Sequence, residues 1–274
     1  MEKIDFHKIS HQLEVNSPLV HHITNYVTAN DCANCILALG GSPVMADDPE
    51  EVEEMVSMSS VLVINLGTLK QRSLRSMRLA GSKANEKGIP VILDPVGAGA
   101  TSWRTKSAKE LLETVSFSFV RGNASEIQCL AGLNGKTRGV ETAVGQNLDL
   151  RKLALTMATE YKVAVGITGV NDVVSDGKSV YELSNGHPFL TKITGSGCMT
   201  TSIIGLFLGA EASPVEAGIA GIATMAVAGE LAYEDLVAKD GMGSYRMKLM
   251  DHLGTISADI LEKRVNIKGG IHHG

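Results

Sequence analysis

The sequence predicts an α/β protein with a mainly parallel central sheet and helices on both faces. Short apolar runs rich in β-branched residues recur between residues 19 and 168, and a helix-like segment follows nearly every run. The runs lack strict polar–apolar alternation, which is typical of strands covered on both faces. Repeated strand–helix–strand units join parallel strands through right-handed crossovers, so a parallel sheet follows.

The elements follow from these patterns in chain order. The predicted strands are Leu19–Thr24, Pro43–Ala46, Val61–Asn65, Val91–Asp94, Phe117–Arg121 and Val163–Thr168. The predicted helices are Ala29–Leu39, Pro49–Ser57, Leu69–Lys87, Ser107–Thr114, Ala124–Ala131 and Leu150–Tyr161. Asp48 and Pro49 are typical of a helix cap and first turn, and Gly88 ends the long third helix.

The remaining third of the chain predicts a hairpin followed by helices. Asp176-Gly177 indicates a two-residue turn between strands Asp172–Ser175 and Ser179–Leu183. The uncharged stretch Ile193–Ala210 contains polar residues and is followed at once by charges, which favours a buried helix over a membrane span. No linker interrupts the pattern, so we expect one domain over residues 1–274, with a loose tail over about 265–274.

Composition excludes several classes of protein. With 274 residues, 44% of them hydrophobic, the chain can bury a substantial core. A formal net charge of -5 argues against a nucleic-acid partner, which would require a basic face. No basic-then-apolar segment begins the chain and only four cysteines occur, so we expect a cytoplasmic protein without disulfides or a membrane partner.

Polar and charged residues end the predicted strands, where ligands bind in an open parallel sheet. Asp94 ends an apolar strand, so its carboxylate is expected to be solvated, paired or bound to a metal. A turn or cap residue before Pro95 is the alternative for Asp94. Glu126 begins a helix five residues after Arg121. The other residues at these strand ends are Asn25, Met45, Gly67, Thr68 and Thr168.

The segment Thr194-Gly-Ser-Gly-Cys-Met-Thr-Thr predicts an anion-binding helix start. Glycines before a helix let backbone N–H groups converge, and the helix N terminus adds about half a positive charge. The predicted cradle comprises Gly195, Ser196, Gly197 and Cys198. The segment lacks the Lys-Ser/Thr of a P-loop and the spacing of a dinucleotide-binding turn. Tight packing of the glycines is an almost equally good explanation of this segment.

The cysteines and histidines allow both chemical and packing interpretations. A helix start would lower the pKa of Cys198 towards the reactive range, whereas free cysteine is often simply a small buried residue. Cys32 and Cys35 form a C-x-x-C within a helical pattern, without a second pair or spaced histidines, so we expect core residues. His21-His22 would point to opposite faces of a strand, which favours packing.

Motifs along the whole chain resemble those of the hydroxyethylthiazole kinases. They are Pro-Leu-Val-His-His-Ile-Thr-Asn-Tyr-Val-Thr, Gly-Gly-Ser-Pro-Val-Met-Ala-Asp, Asn-Leu-Gly-Thr-Leu, Leu-Asp-Pro-Val-Gly-Ala-Gly, Val-Arg-Gly-Asn-Ala-Ser-Glu-Ile, Gly-Ile-Thr-Gly and Thr-Gly-Ser-Gly-Cys-Met. The resemblance runs from about Ser17 to the final helix and implies a ribokinase-like fold. It also implies ATP-dependent phosphorylation of 4-methyl-5-(2-hydroxyethyl)thiazole in thiamine salvage, with Mg²⁺, by a homotrimer whose sites lie between subunits.

The resemblance also implies roles for individual residues. Asp94 and Glu126 would organise Mg²⁺, while Arg121 and Thr168 would contact the ATP phosphates. The residues around the thiazole alcohol would be Asn25, Val27, Met45, Gly67, Thr68 and Gly195. Related sugar kinases carry an aspartate base where this chain has Cys198. Our hypothesis is that Cys198 accepts, or hydrogen-bonds, the proton of the substrate hydroxyl.

Three other functions remain as alternatives. A nicotinamide or flavin enzyme would need a glycine-rich turn after the first strand, where the sequence has Thr24-Asn-Tyr-Val. A sensor that binds thiazole or nucleotide without catalysis would not need Asp94, Glu126, Arg121 and Cys198. A kinase for a sugar or for hydroxymethylpyrimidine is the nearest competitor, and a site around Val27 and Met45 is too apolar for a sugar.

Overall fold

One nine-stranded sheet organises the part of the chain that the structure describes. The structure is a computed structural model and describes residues 4–132 and 148–270. The strands are β1 Leu19–Ile23, β2 Ser42–Met45, β3 Val61–Asn65, β4 Val91–Asp94, β5 Phe119–Asn123, β6 Ala164–Thr168, β7 Asp172–Ser175, β8 Val180–Leu183 and β9 Ile267–Gly269. Their order across the sheet is β2-β1-β3-β4-β5-β6-β7-β8-β9. The first six strands are parallel and the last three antiparallel, which confirms a mainly parallel sheet.

Helices cover both faces of this sheet, as predicted. One face carries α1 Phe6–Asn16, α2 Ala29–Ala38, α8 Ser196–Gly209, α9 Pro214–Glu234, α10 Met242–Thr255 and α11 Ala258–Arg264. The other face carries α3 Val52–Ser57, α4 Gln71–Lys87, α5 Ser102–Thr114, α6 Ala124–Leu130 and α7 Leu150–Tyr161. Val61 and Val63 of β3 pack into the first face, and Leu62 and Ile64 into the second. The strand is buried on both sides because its side chains alternate between two apolar cores.

The apolar helices α8 and α9 pack backbone against backbone in the first core. A Cβ added to Gly221 of α9 would lie 2.8 Å from the backbone nitrogen of Ile204 in α8, so only glycine allows this approach. Helix α9 is long and apolar enough to cross a membrane, but 78% of its apolar window is buried inside the protein. Ten of the 14 residues of α8 are buried, which confirms the prediction of a buried helix.

Several predicted boundaries are wrong for identifiable reasons. Helix α3 begins at Val52 instead of Pro49, because the Asp48 side chain accepts a hydrogen bond from Glu50 N at 3.0 Å and forms a turn. In the hairpin Ser175 pairs with Val180, so four residues make the turn instead of two.

The two ends of the chain also differ from prediction. Helix α1 was missed, although Asp5 caps it by accepting from Lys8 N at 2.9 Å and its apolar residues recur at helical spacing. The expectation of a loose tail is wrong for Ile267–Gly269, since these residues pair with β8 as β9. Edge pairing orders them because it satisfies the exposed backbone groups of β8. Residues 271–274 lie outside the described residues.

Candidate active site

The carboxyl ends of the parallel strands and the N terminus of α8 bring the predicted residues together. Asn25 follows β1, Asp94 ends β4, and Arg121 lies in β5, while Cys198 stands in the first turn of α8. The parallel register of β3, β4, β5 and β6 aligns these positions at one rim. The predicted rim site is therefore formed by residues that are far apart in sequence.

Cys198 Sγ lies between two side-chain amides. Asn25 Nδ2 is 3.5 Å from the sulfur and Asn65 Nδ2 is 3.3 Å from it. Both asparagines are buried, at 4% and 3% exposure. Asn25 Nδ2 also donates to Asn65 Oδ1 at 2.9 Å, so the two amides and the thiol form one network.

Asp94 is a fully buried carboxylate in this network. Its Oδ2 atom accepts hydrogen bonds from Asn65 Nδ2 and Thr201 Oγ1, both at 2.9 Å. Among the described residues, Oδ1 has no hydrogen-bond partner and faces Arg121 Nη1 at 3.9 Å. Burial raises the pKa of Asp94 to about 6, Glu126 adds to the rise, and the Arg121 charge opposes it. A buried carboxylate with one unpaired oxygen is the pattern that a bound cation would complete.

The Cys198 thiol is held in its protonated form. Burial raises the pKa of Cys198, and the neighbouring Asp94 charge raises it further, while hydrogen bonds from Thr28, Asn65 and Asn25 act in the opposite direction. The expectation of a lowered pKa is therefore wrong for the free chain. Desolvation and the nearby Asp94 carboxylate both disfavour the thiolate.

The start of α8 has free backbone N–H groups at the residues predicted to form an anion cradle. Gly195 caps the helix in the left-handed region, with φ 91°, which favours glycine. Ser196, Gly197 and Cys198 then form the first turn, whose N–H groups have no acceptor within the helix itself. These N–H groups point out of the N terminus of a 14-residue helix, so the loop can bind an anion.

Arg121 lies over this loop. Its guanidinium hydrogen-bonds the Thr168 hydroxyl. A Cβ added to Gly197 would lie 2.6 Å from Arg121 Nη1, so the absent side chain of Gly197 is what lets the guanidinium approach. The two residues predicted to contact ATP phosphates are thus in mutual contact beside the anion cradle.

A cavity of about 510 Å³ extends from Arg121 and Thr168 along α9. Its lining includes the polar side chains of Arg121, Thr168 and Ser196. It also includes a set of apolar residues, here called the apolar wall: Pro188, Leu190, Ile222, Met225 and Ala226. This volume lies within the range of nucleotide and cofactor sites. Sequence reasoning missed the apolar wall because its residues come from a short 3₁₀ helix, Pro188–Lys192, and from α9.

A second cavity, of about 280 Å³, has Asn25 in its lining. Met45 and Thr68 line it, together with His22, Tyr26 and Lys70. In the single chain Met45 is 38% exposed and Val27 is 54% exposed. Val27 lies outside this lining, and Gly67 contributes a backbone N–H that donates to Asn65 Oδ1 at 2.8 Å. Three of the six predicted thiazole residues, Asn25, Met45 and Thr68, therefore line this cleft of mixed polarity, whereas Val27, Gly67 and Gly195 do not.

Glu126 has a structural role besides its predicted metal role. Its two carboxylate oxygens accept hydrogen bonds from Gly97 N and Asn123 N, both at 2.9 Å, the second as part of the capping box of α6. No cluster of three or more metal-ligating side chains occurs among residues 4–132 and 148–270. Mg²⁺ in kinases keeps several waters and uses one or two carboxylates plus substrate phosphates. The unpaired Oδ1 of Asp94 near Glu126 fits such an ion.

The C-x-x-C pair and the adjacent histidines are packing residues, as predicted. Cys32 and Cys35 are at most 1% exposed, and burial raises the pKa of both thiols. His21 Nε2 contacts the Ala46 carbonyl at 2.8 Å, whereas His22 Nε2 contacts Ser202 Oγ at 3.0 Å.

Two residues of the site were not found from the sequence. Asn65 binds both Cys198 and Asp94, as described above. Arg104 of α5 donates to the carbonyls of Leu66, Gly67 and Val96 and so joins the loops after β3 and β4. Asn65 ends a predicted strand and could have been found by the same rule as Asp94. Arg104 carries no local signal.

Comparison with known proteins identifies close relatives. The family model "Hydroxyethylthiazole kinase family" matches residues 10–259. Hydroxyethylthiazole kinase from Alkaliphilus metalliredigens is 49% identical over 247 residues, covering 90% of each chain. The same-named protein from Clostridium tetani is 48% identical over 92% of this chain and 93% of its own length.

Solved structures show the same fold. The hydroxyethylthiazole kinase protein from Pyrococcus horikoshii OT3 superposes with a TM-score of 0.88 and 38% identity, covering 99% of this chain and 100% of that chain. A ribokinase-like superfamily protein from Enterococcus faecalis has a TM-score of 0.61 and 13% identity, over 90% of this chain and 94% of that one. The second likeness is one of fold alone, and it confirms the ribokinase-like architecture.

Proposed function

The chain belongs to the hydroxyethylthiazole kinase family, and we propose how its residues perform the reaction of that family. The reaction is ATP-dependent phosphorylation of the hydroxyl of 4-methyl-5-(2-hydroxyethyl)thiazole, in thiamine salvage. One observation carries the assignment of the site: Cys198, Asp94 and Arg121 converge where the N terminus of α8 meets the strand ends. We place the reaction at this point, within a single kinase domain over residues 1–274 of a cytoplasmic enzyme.

ATP would bind along α9, with its phosphates at the rim. The apolar wall of the 510 Å³ cavity suits a flat base, and Arg121 and Thr168, which also line this cavity, would contact the phosphates. The backbone N–H groups of Gly195, Ser196, Gly197 and Cys198 would bind the transferred phosphoryl group. Oriented donors of this kind act strongly because they need no reorganisation as charge moves.

The thiazole alcohol would bind in the cleft beside Asn25. The residues around it would be Asn25, Val27, Met45, Gly67, Thr68 and Gly195. Val27 and Met45 are exposed in the single chain. A homotrimer with sites between subunits would cover them and complete an apolar pocket for the ring. This exposure supports the trimer.

Asp94 and Glu126 would hold Mg²⁺. When bound, the ion would neutralise negative charge that develops on the phosphates during transfer. Asp94 supplies the unpaired oxygen, and its ionisation would be favoured by the cation. Glu126 would act from its position in the capping box, where its orientation is fixed by two backbone N–H groups.

Alignment and charge stabilisation are the main requirements of phosphoryl transfer, because its transition state is loose. Arg121 and the amides of α8 would stabilise charge on the phosphoryl oxygens. Cys198 would contact the substrate hydroxyl. Its raised pKa supports a hydrogen bond from a neutral thiol rather than acceptance of the hydroxyl proton.

A coupled assay of ADP release tests this function. We expect turnover with the thiazole alcohol and at least about tenfold lower kcat/KM with hydroxymethylpyrimidine or a sugar, because the chain belongs to a family named for the thiazole substrate. Binding of both ligands without ADP release would instead identify a sensor. Faster release with either competing substrate would overturn the proposed specificity.

Two substitutions test the role of Cys198 in the same assay. Cys198→Ala removes the thiol, and Cys198→Asp supplies a carboxylate that can accept a proton. If Asp fails to restore the activity lost with Ala, proton acceptance at this position is excluded, and hydrogen bonding or packing is favoured. A lost general base and a lost oxyanion donor cost overlapping factors of about 10²–10⁴ and 10²–10³, so the alanine variant alone does not separate the roles.

A further inference from the structure

Asn65 is the last residue of β3, and both the nitrogen and the oxygen of its side-chain amide make hydrogen bonds within the site. Its Nδ2 group donates to Cys198 Sγ at 3.3 Å and to Asp94 Oδ2 at 2.9 Å. Its Oδ1 atom accepts from Asn25 Nδ2 at 2.9 Å and from Gly67 N at 2.8 Å. An amide has two donor hydrogens and two acceptor lone pairs, so all four positions are used.

The orientation of this amide is fixed by the backbone. Gly67 N can only donate, so the Asn65 atom facing it is the oxygen, and Nδ2 must face Cys198 and Asp94. The neighbouring amide is fixed in the same way, because Asn25 Oδ1 accepts from Val27 N at 3.1 Å and from Thr28 N at 3.0 Å. Rotating either amide by 180° would place donor against donor.

Two fixed donors therefore converge on one sulfur. A cysteine side chain reaches its sulfur through a single rotatable bond, χ1, so donors from β3 and from the loop after β1 hold that bond in one rotamer. Asn65 also ties the thiol to the buried carboxylate beside it. The thiol, the carboxylate and the Gly67 loop keep a constant spacing as a result.

We propose that Asn65 is a positioning residue for phosphoryl transfer: its amide holds Cys198 Sγ in one rotamer next to Asp94, in register with the Gly67 loop. The proposal rests on the proposed function, in which Cys198 contacts the substrate hydroxyl. Asn65 acts through Cys198 and need not touch either substrate. A small misplacement of a group at the reacting centre lowers the rate about 10²-fold.

The kinetic test uses Asn65→Asp and Asn65→Ala. Asn65→Asp keeps the acceptors for Gly67 N and Asn25 Nδ2 and loses both donated bonds. We expect kcat to fall about 10-fold to 10²-fold in both variants, with KM for ATP changed less than about threefold, because the loss affects alignment and not binding. In a Cys198→Ala background the Asn65→Ala effect should shrink to less than about threefold, since coupled residues are non-additive. Additive effects, or an unchanged kcat, would overturn the proposal.

Asn85→Ala is the matched control. The Asn85 amide, in the last turn of α4, also bridges two backbone groups, the Ser116 carbonyl at 2.8 Å and Ser116 N at 2.7 Å. It should lower Tm while leaving kcat unchanged. A fall in kcat that tracks Tm in all three variants would show that Asn65 stabilises the fold and positions nothing.

A spectroscopic measurement is independent of activity. The Raman S–H band of Cys198, isolated as the difference between wild type and Cys198→Ser, should shift in Asn65→Asp and stay in place in Asn85→Ala. An unshifted band overturns the positioning role even if the wild type proves inactive on the thiazole alcohol. An inactive wild type with a shifted band would instead refute the proposed function alone.

Discussion

The guanidinium of Arg121 occupies the space next to Gly197 that any larger residue would need for its side chain. A Cβ on Gly197 would lie 2.6 Å from Nη1 and 3.1 Å from Cζ of Arg121. The same guanidinium bonds the Thr168 hydroxyl and lies 3.9 Å from Asp94 Oδ1. The Arg121 guanidinium therefore lies close both to the start of α8 and to the buried Asp94 carboxylate.

Gly197→Ala should separate activity from stability. The added methyl displaces the flexible end of Arg121, so the free energy of unfolding should change by less than about 1 kcal/mol. Loss of the aligned cation should lower kcat/KM for ATP about 10²-fold. Kinetics and urea unfolding measure the two effects. Gly243→Ala is the control, since an added Cβ in α10 meets nothing within 4 Å and should leave kcat/KM unchanged. Wild-type kinetics in Gly197→Ala would contradict the placement of Arg121.

Asp94→Asn should stabilise the free protein at neutral pH and abolish most activity. The folded pKa of about 6 exceeds the ordinary 3.8, so the folded state binds the proton more tightly and the free energy of unfolding falls as pH rises from about 4 to 6. The wild type should lose on the order of 2 kcal/mol over this window through this carboxyl, and the asparagine variant should not. Urea unfolding at pH 4 and pH 7 measures the difference.

Asp176→Asn, in the exposed hairpin turn, should follow the wild type at both pH values. Equal pH dependence in Asp94→Asn and wild type would refute the buried carboxylate.

Glu126→Gln should weaken Mg²⁺ dependence in a specific way. The amide removes the charge and retains only one of the two acceptors for Gly97 N and Asn123 N. We expect the Mg²⁺ concentration for half-maximal rate to rise about tenfold, with partial recovery of the rate at high Mg²⁺. Binding of Mn²⁺ in the presence of ADP, followed by water proton relaxation, gives a readout without turnover. Glu110→Gln, in a surface ion pair with Arg78, is the control. An unchanged Mg²⁺ dependence in Glu126→Gln would exclude the metal role of Glu126 and leave only its role in capping α6.

Arg104→Lys should weaken binding of the thiazole alcohol more than binding of ATP. Arg104 holds the carbonyls of Leu66, Gly67 and Val96, and a lysine cannot reach three carbonyls on two loops. KM for the thiazole alcohol should rise about tenfold, while KM for ATP stays within about twofold. Steady-state kinetics with each substrate varied measures the split. Arg75→Lys, at an exposed position of α4, should change neither constant. A parallel rise in both constants would show general loosening of the fold.

The sheet was largely predictable because its strands are continuous apolar runs. Val61–Asn65 and Val91–Asp94 were predicted with the observed bounds, since burial on both faces leaves a signal in the residue types alone. The rule for parallel sheets then located Asp94 and Arg121 without any structure. Short turns were less predictable. The Asp48 side chain accepts a hydrogen bond from Glu50 N, and the turn that this bond forms makes α3 begin later than predicted. Residue types alone do not show whether such a turn or a helix will form.

The residues of the candidate site that belong to a sequence motif were predictable. Those that only the tertiary fold brings to the site were not. Cys198 and Gly195 stand in a recognisable loop. Asn65 resembles any polar residue at a strand end until the register places it beside Cys198. Arg104 contacts the loops after β3 and β4 from α5 through their backbone carbonyls, and no sequence pattern indicates such contacts. The pKa of Cys198 also depends on burial by distant elements, so the helix-start rule gave the wrong direction.

Gly221 sets a boundary on how this enzyme can be re-engineered. Because α9 contacts the backbone of Ile204 at Gly221, a larger side chain at position 221 would displace α8. The loop at the N terminus of α8 would then move as well. Libraries aimed at new acceptor alcohols should therefore vary the cleft around Met45 and Thr68, and leave the seam between the two apolar helices untouched.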